Sequence, residues 1–424
     1  MNIEILSRET IKPSIPTNDV RKTWKISLLD QFSPALYVPV LFFYNSKLSN
    51  PIISSPVLDL LKKSLSETLT IYYPLAEAQT NWSLEKFLEK PDLTFLNNFL
   101  PCNGNCLEKS GSSQTLAAFQ TTKFRCGGIV IGACILHKVV DAVSISGFMS
   151  SWAKITGGSR DQVIYPDFST VSTIFPPRNS MPNDFLMNFE NFYFKGSKFN
   201  KMKRYVFDNK SIKALQAKSS SQMVPNPTRI EALTAFICKH VMKSYRTGKS
   251  KVLMVTHAVN LRHRLEQMLK SNSFGNIIWL AYGFNDAKEN KIDLTDVAEM
   301  TREMFDSLRT ENLEGIDSND MFDALSEVLG SLSKINEQLK ILRFTSWCNL
   351  GFYKVDFGWG TPIWVAYMGD MVGFPSKQHF LLLESGQKSE MELWMSCEEE
   401  DMHNLENDEE FLEFAVPNPR ICLH

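Results

Sequence analysis

The spacing of apolar and polar positions changes period repeatedly along this chain, and each change predicts an element. Tyr37 to Tyr44 is aromatic and β-branched and predicts a buried strand; Val57 to Leu69 places Leu58, Leu61, Leu65 and Leu69 at helical spacing. Gly127 to Leu136 is apolar on both alternating faces, with Ile129, Ile131, Ala133 and Ile135 on one side and Val130, Cys134 and Leu136 on the other. That pattern predicts a strand covered from both sides. Ala142 to Ile155 returns to a helical period through Ile145, Phe148, Met149, Trp152 and Ile155, and Gly157 with Gly158 stops it.

Between Pro166 and Lys203 the periodicity fades into Pro176, Pro177, Pro182, Asn183 and Gly196, which reads as a crossover linker. Beyond it follow a strand at Lys203 to Phe207, helices at Ser211 to Lys218 and Thr228 to Tyr245, and a strand at Val252 to Val259. Asp293 to Leu342 is acidic, Leu-punctuated and helical. Final strands are expected at Trp347 to Val355, Pro362 to Tyr367, Phe380 to Leu383 and Met391 to Met395. Strands interleaved with helices on both sides of a linker predict an α/β protein with mixed sheets. Its two similar-sized domains span 1–178 and 201–424, joined by 179–200, with a site between them.

Composition narrows the partners. A length of 424 residues is ample for two domains, and 45 Lys plus Arg against 47 Asp plus Glu leaves no basic field for nucleic acid. Eight Cys are too few for a disulfide scaffold; Cys102 and Cys106 lack two further ligands for a tetrahedral metal, so none is expected. Met1 to Thr10 lacks the basic start and apolar core of a secretory leader, and the longest apolar run, Ala35 to Tyr44, is about half a membrane span. The expectation is a reduced, soluble, cytoplasmic monomer without membrane or nucleic-acid partners.

Two strings carry candidate chemistry. His137 ends the buried strand and Asp141 opens the following helix, where strand-end groups of α/β proteins face clefts. Histidine can take and return a proton near neutrality, so His137 is a candidate general base; a core histidine beside a helix-capping Asp is the alternative. The second string, Asp356-Phe357-Gly358-Trp359-Gly360-Thr361-Pro362, describes a tight loop with close backbone approach, equally open to a structural reading.

HxxxD in the first half together with DFGWG near the C-terminus resembles the plant BAHD acyltransferases, which use coenzyme A thioesters. Supporting strings are Ile11-Lys12-Pro13-Ser14, Leu28-Leu29-Asp30-Gln31, Tyr72-Tyr73-Pro74-Leu75-Ala76, Cys126-Gly127-Gly128, Ala258-Val259-Asn260-Leu261-Arg262, Phe274-Gly275-Asn276 and Ser346-Trp347-Cys348. Within the family the chain is most similar to the alkaloid and alcohol O-acyltransferases. The resemblance implies two chloramphenicol-acetyltransferase-like domains with a channel between them and His137 at its middle. It further implies a small-molecule alcohol acceptor, an acyl-coenzyme A donor, acetyl-coenzyme A first, as co-substrate, and no bound cofactor. It places Asp141 away from substrate, paired with Arg262, and makes Asp356, Gly358, Trp359 and Gly360 architectural, with Trp359 a candidate channel residue. Acyl transfer also requires an oxyanion donor; Asn260, Ser346 and Trp347 are candidates. Lys251, Arg262, Arg264 and Lys354 are available for the coenzyme phosphates, and Asn349 stands where relatives often carry Arg or Lys.

The chain departs from the family after Ala76, where relatives continue through two further strands; roughly 25 residues are missing from the first sheet. The leading reading is therefore an O-acyltransferase acting on a plant specialised metabolite such as an alkaloid. The alternative is a catalytically degenerate relative. A peptide-synthesis condensation domain shares HxxxD, but DFGWG and the absence of a second His before His137 argue against it.

Overall fold

A computed structural model describes residues 9–17, 24–45, 55–73, 75, 92–101, 115–124, 126–194, 199–243, 252–286, 292–313, 315–334, 339–372, 378–386 and 389–421. The stretches around Ala76 and Cys102 to Cys106, and Lys251, lie outside them.

The strands are β1 (Tyr37–Tyr44), β2 (Ala117–Lys123), β3 (Ile129–Leu136), β4 (Phe199–Asn200), β5 (Lys203–Phe207), β6 (Val252–Asn260) and β7 (Ile278–Asp286), then β8 (Leu339–Ser346), β9 (Trp364–Ala366), β10 (Met371–Val372), β11 (His379–Glu384), β12 (Met391–Ser396) and β13 (Val416–Pro417). They form a four-stranded sheet in the order β2-β3-β1-β9, a seven-stranded sheet in the order β13-β5-β12-β11-β8-β6-β7, and the small pair β10-β4. In the larger sheet β8 runs parallel to β6 and β11, and the remaining pairs are antiparallel.

The apolar patterns explain the first sheet. Every residue of β3 is buried, and Leu61, Leu65 and Leu69 of helix Ser55–Ile71 share its core with Phe148 and Trp152 of helix Ala142–Thr156. Gly132 is required in mid-strand because a Cβ there would lie 2.2 Å from the Phe99 carbonyl oxygen. Helix Ala142–Thr156 starts where the Asp141 carboxylate accepts the Ser144 N–H at 2.8 Å, and Gly157 caps its end.

The structure changes several sequence expectations. The crossover stretch holds helices Thr170–Ile174 and Asn183–Phe194, the second packing Phe185, Phe189 and Phe192 into the core of the larger sheet. These phenylalanines recur at helical spacing behind the Pro cluster. The helical segment stops before Leu342, since Leu339 already pairs with Val252 in β8. The strand expected from Trp347 to Val355 is absent. After Ser346 the chain turns through Asn349 (φ 61) and Gly351 (φ 77) into the 3-10 turn Phe352–Lys354, a path that positive φ takes out of any ladder. Finally, β9 comes from the C-terminal half yet pairs with β1, Trp364 facing Phe43. The buried Arg204–Glu392 pair, at 2.6 Å, receives the Trp364 indole N–H and so ties the two sheets together. Among the described residues no helix is long and apolar enough to cross a membrane.

Candidate active site

His137 follows β3 directly, and its backbone N–H donates to the Leu36 carbonyl at 2.7 Å. Its ring Nδ1 lies 3.0 Å from Asn276 Oδ1. The Asn276 amide nitrogen donates to Asp30 Oδ1 at 2.9 Å and to the His137 carbonyl at 2.7 Å. With its nitrogen committed to two oxygens, Asn276 presents its own oxygen as an acceptor, so Nδ1 carries the ring proton and Nε2 is the basic nitrogen. Asp30 anchors the chain from below: its carboxylate also accepts the Asn276 backbone N–H and both the N–H and the hydroxyl of Ser27, each at 2.8 Å. Burial holds the His137 imidazole below its ordinary pKa, so it is neutral at pH 7. Burial likewise raises Asp30, opposed by those hydrogen bonds.

A cavity of about 210 Å3 opens on His137 between the two sheets. Asn260, Ser346 and Trp347, the candidate oxyanion donors, all line it. The Asn260 oxygen accepts the Arg262 N–H at 3.1 Å and Nη1 at 3.2 Å, which turns its amide nitrogen away from that arginine.

Asp141 touches the cavity wall but is turned to Arg262, with Nη1 at 2.7 Å from Oδ2 and Nη2 at 3.2 Å from Oδ1. The Ile277 N–H adds a bond at 3.0 Å, and Arg262 reaches on to the carbonyls of Ser273 and Gly275. Burial opposes the charge on Asp141, yet Arg262 and these donors hold its carboxyl below the usual carboxylate range. The pair thus fixes the 273–277 loop that carries Asn276, without touching the imidazole.

The Asp356 carboxylate accepts the N–H groups of Gly358 and Gly360, both at 2.8 Å, and both glycines have positive φ. Phe357 and Trp359 stack at 5.4 Å, and Phe357 meets Trp152 edge-on. No residue from Asp356 to Gly360 lines the cavity, Trp359 included; the loop braces helix Ala142–Thr156 from behind, where Gly358 leaves 3.2 Å for a Cβ against Gly157 Cα. Of the cations offered for coenzyme phosphates, Arg262 is spent on Asp141. Arg264 is spent on the Phe305 and Leu308 carbonyls, and Lys354 alone of the described ones is exposed.

Asn276 and Asp30 are the functional residues that sequence reasoning did not assign. Ser27 and Asp30 carry capping-box spacing, which was a readable signal for a buried carboxylate, but its link to Asn276 spans 246 positions.

Comparison with known proteins gives concordant results. A model of the Transferase family matches residues 1–76 and 77–412. The chain is 48% identical over 448 aligned positions to akuammiline synthase 2 of Alstonia scholaris, covering 100% of this chain and 99% of that one. It is 34% identical to limonoid 7-O-acetyltransferase of Citrus sinensis, covering 99% of each. Among solved structures, vinorine synthase superposes with a TM-score of 0.81 at 28% identity, over 99% of this chain and 100% of that one. The family match breaks between Ala76 and Glu77, and 448 positions against 424 residues leave at least 24 with no counterpart in this chain.

Proposed function

Because the chain belongs to the BAHD family and is an acyltransferase, we propose that it moves an acetyl group from acetyl-coenzyme A to a hydroxyl of a plant specialised metabolite such as an alkaloid. The observation that carries this reading is the imidazole of His137, neutral, with its basic Nε2 left for the cavity once Asn276 holds Nδ1–H. With both substrates in one cavity, Nε2 removes the hydroxyl proton as the oxygen attacks the thioester carbonyl. A tetrahedral oxyanion forms, for which Asn260, Ser346 and Trp347, all lining the cavity, are the candidate donors. It collapses by expelling the coenzyme thiolate, which takes back the proton from the imidazolium; no acyl-enzyme is formed. The acetyl assignment is supported by the name of the limonoid relative, and the alkaloid by resemblance to the alkaloid O-acyltransferases.

Release of free thiol from acetyl-coenzyme A, measured across a panel of alkaloid, terpenoid, phenylpropanoid and sugar alcohols, tests the reading. Acceptor-dependent release that disappears in a folded His137→Ala variant supports it; no release with any acceptor sinks it. The break after Ala76 favours a second reading, a degenerate relative without turnover, which the same acceptor-dependent release would exclude.

A further inference from the structure

The cavity has two unlike ends, and the strand registers assign them. Strands β6 and β8 run parallel, so Asn260 and Ser346 leave the sheet at the same end, and β11 continues past Ser346 to Glu384. His137 meets the sheet at this end, where its partner Asn276 shortly precedes Ile278, the residue opposite Asn260. Beyond it stand Arg229, paired with Glu384 at 3.2 Å, and the exposed Lys354. That end suits a phosphate-bearing donor.

Strand β7 leads the other way. Ile278 and Leu280 line the cavity; Tyr282 and Phe284 follow on the same face of the strand, beyond the lining. Tyr282 lies four residues from Ile278, about 13 Å at roughly 3.3 Å per residue. Tyr282 and Phe284 are 41% and 47% exposed, and their rings meet edge to face at 6.0 Å. The opposite face of β7 is filled, since a Cβ on Gly283 would lie 2.7 Å from the Met300 side chain of helix Leu294–Asp306. At about 210 Å3 the cavity is smaller than the roughly 300–1,000 Å3 of sites that enclose a drug-sized molecule. An acceptor of several fused rings, with its hydroxyl at His137, therefore runs out along β7 onto this aromatic shelf. The field there is negative. Helix Ser318–Lys334, whose Leu325 lines the same cavity, carries Asp320, Asp323 and Glu327 at helical spacing, with Lys334 its only basic residue. Glu327 is exposed and pairs with no cation among the described residues. Burial and, after it, the Glu327 charge raise the Tyr282 phenol above its ordinary value, so this carboxylate is felt at the ring.

We propose that Tyr282, Phe284 and Glu327 form a cation-recognising shelf at the mouth of the cavity remote from the coenzyme, and that it takes the far end of an acceptor whose ring system carries a protonated or quaternary nitrogen. The proposal rests on the acyl-transfer reading and names the substrate class for it. An ammonium group within about 6 Å of an aromatic face is attracted by the ring quadrupole. A nearby exposed carboxylate adds to that attraction, subject to screening by salt. The coenzyme phosphates are repelled by the same field, which leaves this end to the acceptor.

The test uses the full chain and the naphthylmethyl trimethylammonium ion. Its uncharged twin is neopentylnaphthalene, in which carbon replaces the nitrogen, and both are measured by equilibrium dialysis. The double variant Tyr282→Leu/Phe284→Leu should weaken binding of the cation at least about fivefold, and Glu327→Gln about threefold, while the twin changes less than about twofold in either. Raising the salt concentration to about 1 M should abolish the effect of Glu327→Gln. Coenzyme A at saturating concentration should leave the cation bound. No binding of the cation, equal losses for cation and twin in the double variant, an unchanged cation affinity in Glu327→Gln, or displacement of the cation by coenzyme A would each overturn the shelf. Because dialysis reads binding, the charge dependence can stand while thiol release fails, or vanish while thiol release is robust, so the two readings are separated.

Discussion

Asn276→Ala removes one side chain and three hydrogen bonds: the acceptor for His137 Nδ1–H at 3.0 Å, and the donor to Asp30 at 2.9 Å and to the His137 carbonyl at 2.7 Å. Asp30 keeps three of its four donors, so the fold survives. The loss of stability is about 2–4 kcal/mol, from one buried acceptor bond and one charge-assisted bond. The chemical loss is larger. Without Asn276 the Nδ1–H tautomer loses its side-chain acceptor, and general-base catalysis of this kind contributes about 100-fold to 10,000-fold; kcat should fall about 100-fold while KM for acetyl-coenzyme A changes less than threefold. Asn276→Asp supplies the pH arm. In the native protein burial holds His137 below 6.5, so the acidic limb of kcat/KM lies below that value. A carboxylate in place of the amide stabilises the imidazolium, and the limb should move to higher pH. A variant Asn276→Ala with kcat within twofold of native, or Asn276→Asp with an unmoved limb, would refute the assignment of the basic nitrogen.

Three further outcomes follow from the structure. His257 is buried and His379 half-buried, and desolvation holds them at about 3 and about 4, below their unfolded value near 6.5, so the unfolded chain takes up protons that the folded one refuses. Stability should be full above 6.5 and fall by up to about 1.4 kcal/mol per pH unit for each histidine between 6.5 and 4, as read by urea midpoints; a midpoint that stays flat to pH 4.5 would contradict their burial. Gly358→Ala forces a Cβ onto a residue at φ 99 and 3.2 Å from Gly157 Cα. It should cost about 1–3 kcal/mol in a thermal melt yet leave kcat within threefold, because the loop does not line the cavity. Inserting, at the break in the family match after Ala76, the residues of akuammiline synthase 2 that have no counterpart in this chain should raise the melting temperature and leave kcat within about twofold; activity arising only after insertion would place the shortfall in the chemistry.

Which parts of this molecule were legible depended on the distance over which the pattern is written. Strand β3 and helix Ala142–Thr156 declare themselves because their apolar periods are local and complete. Strand β2 does not: Gln120, Thr121 and Thr122 are buried there, and Gln120 is tolerated because its amide donates to the Asn98 carbonyl at 2.6 Å. A polar triplet reads as loop until that partner is known. Helix Asn183–Phe194 hides behind Pro182 and Asn183, which mark its start but in sequence read equally as a linker. The site divides in the same way. His137 and Asp141 lie four residues apart, whereas the partner that sets the proton on His137 comes from the second half of the chain, and the shelf of Tyr282 and Phe284 joins the cavity only once β7 is in register with β6.

The shortfall of the chain and the construction of its site fall in different places, and this bears on whether the chain is degenerate. His137 is set by residues 27–30 and 273–277, and Asp141 by Arg262; of these, the 273–277 loop reaches the chain before the break through Phe274, whose ring meets Tyr72 edge-on at 5.6 Å. The chain is anchored on both sides of it. Tyr72 meets Ser151 through its hydroxyl at 3.0 Å and Leu75 is fully buried; Leu93 and Leu96 are buried where the described residues resume. The edge strand β2 of the first sheet pairs, among the described residues, with β3 alone. Helix Ala142–Thr156, which carries Asp141 at its start, is held by the Phe357 and Trp359 loop and by Arg262 as well as by Tyr72. The hydrogen bonds that set the His137 ring are therefore made by residues outside the break, and Tyr72, against Phe274 and Ser151, is the path by which shortening reaches the site.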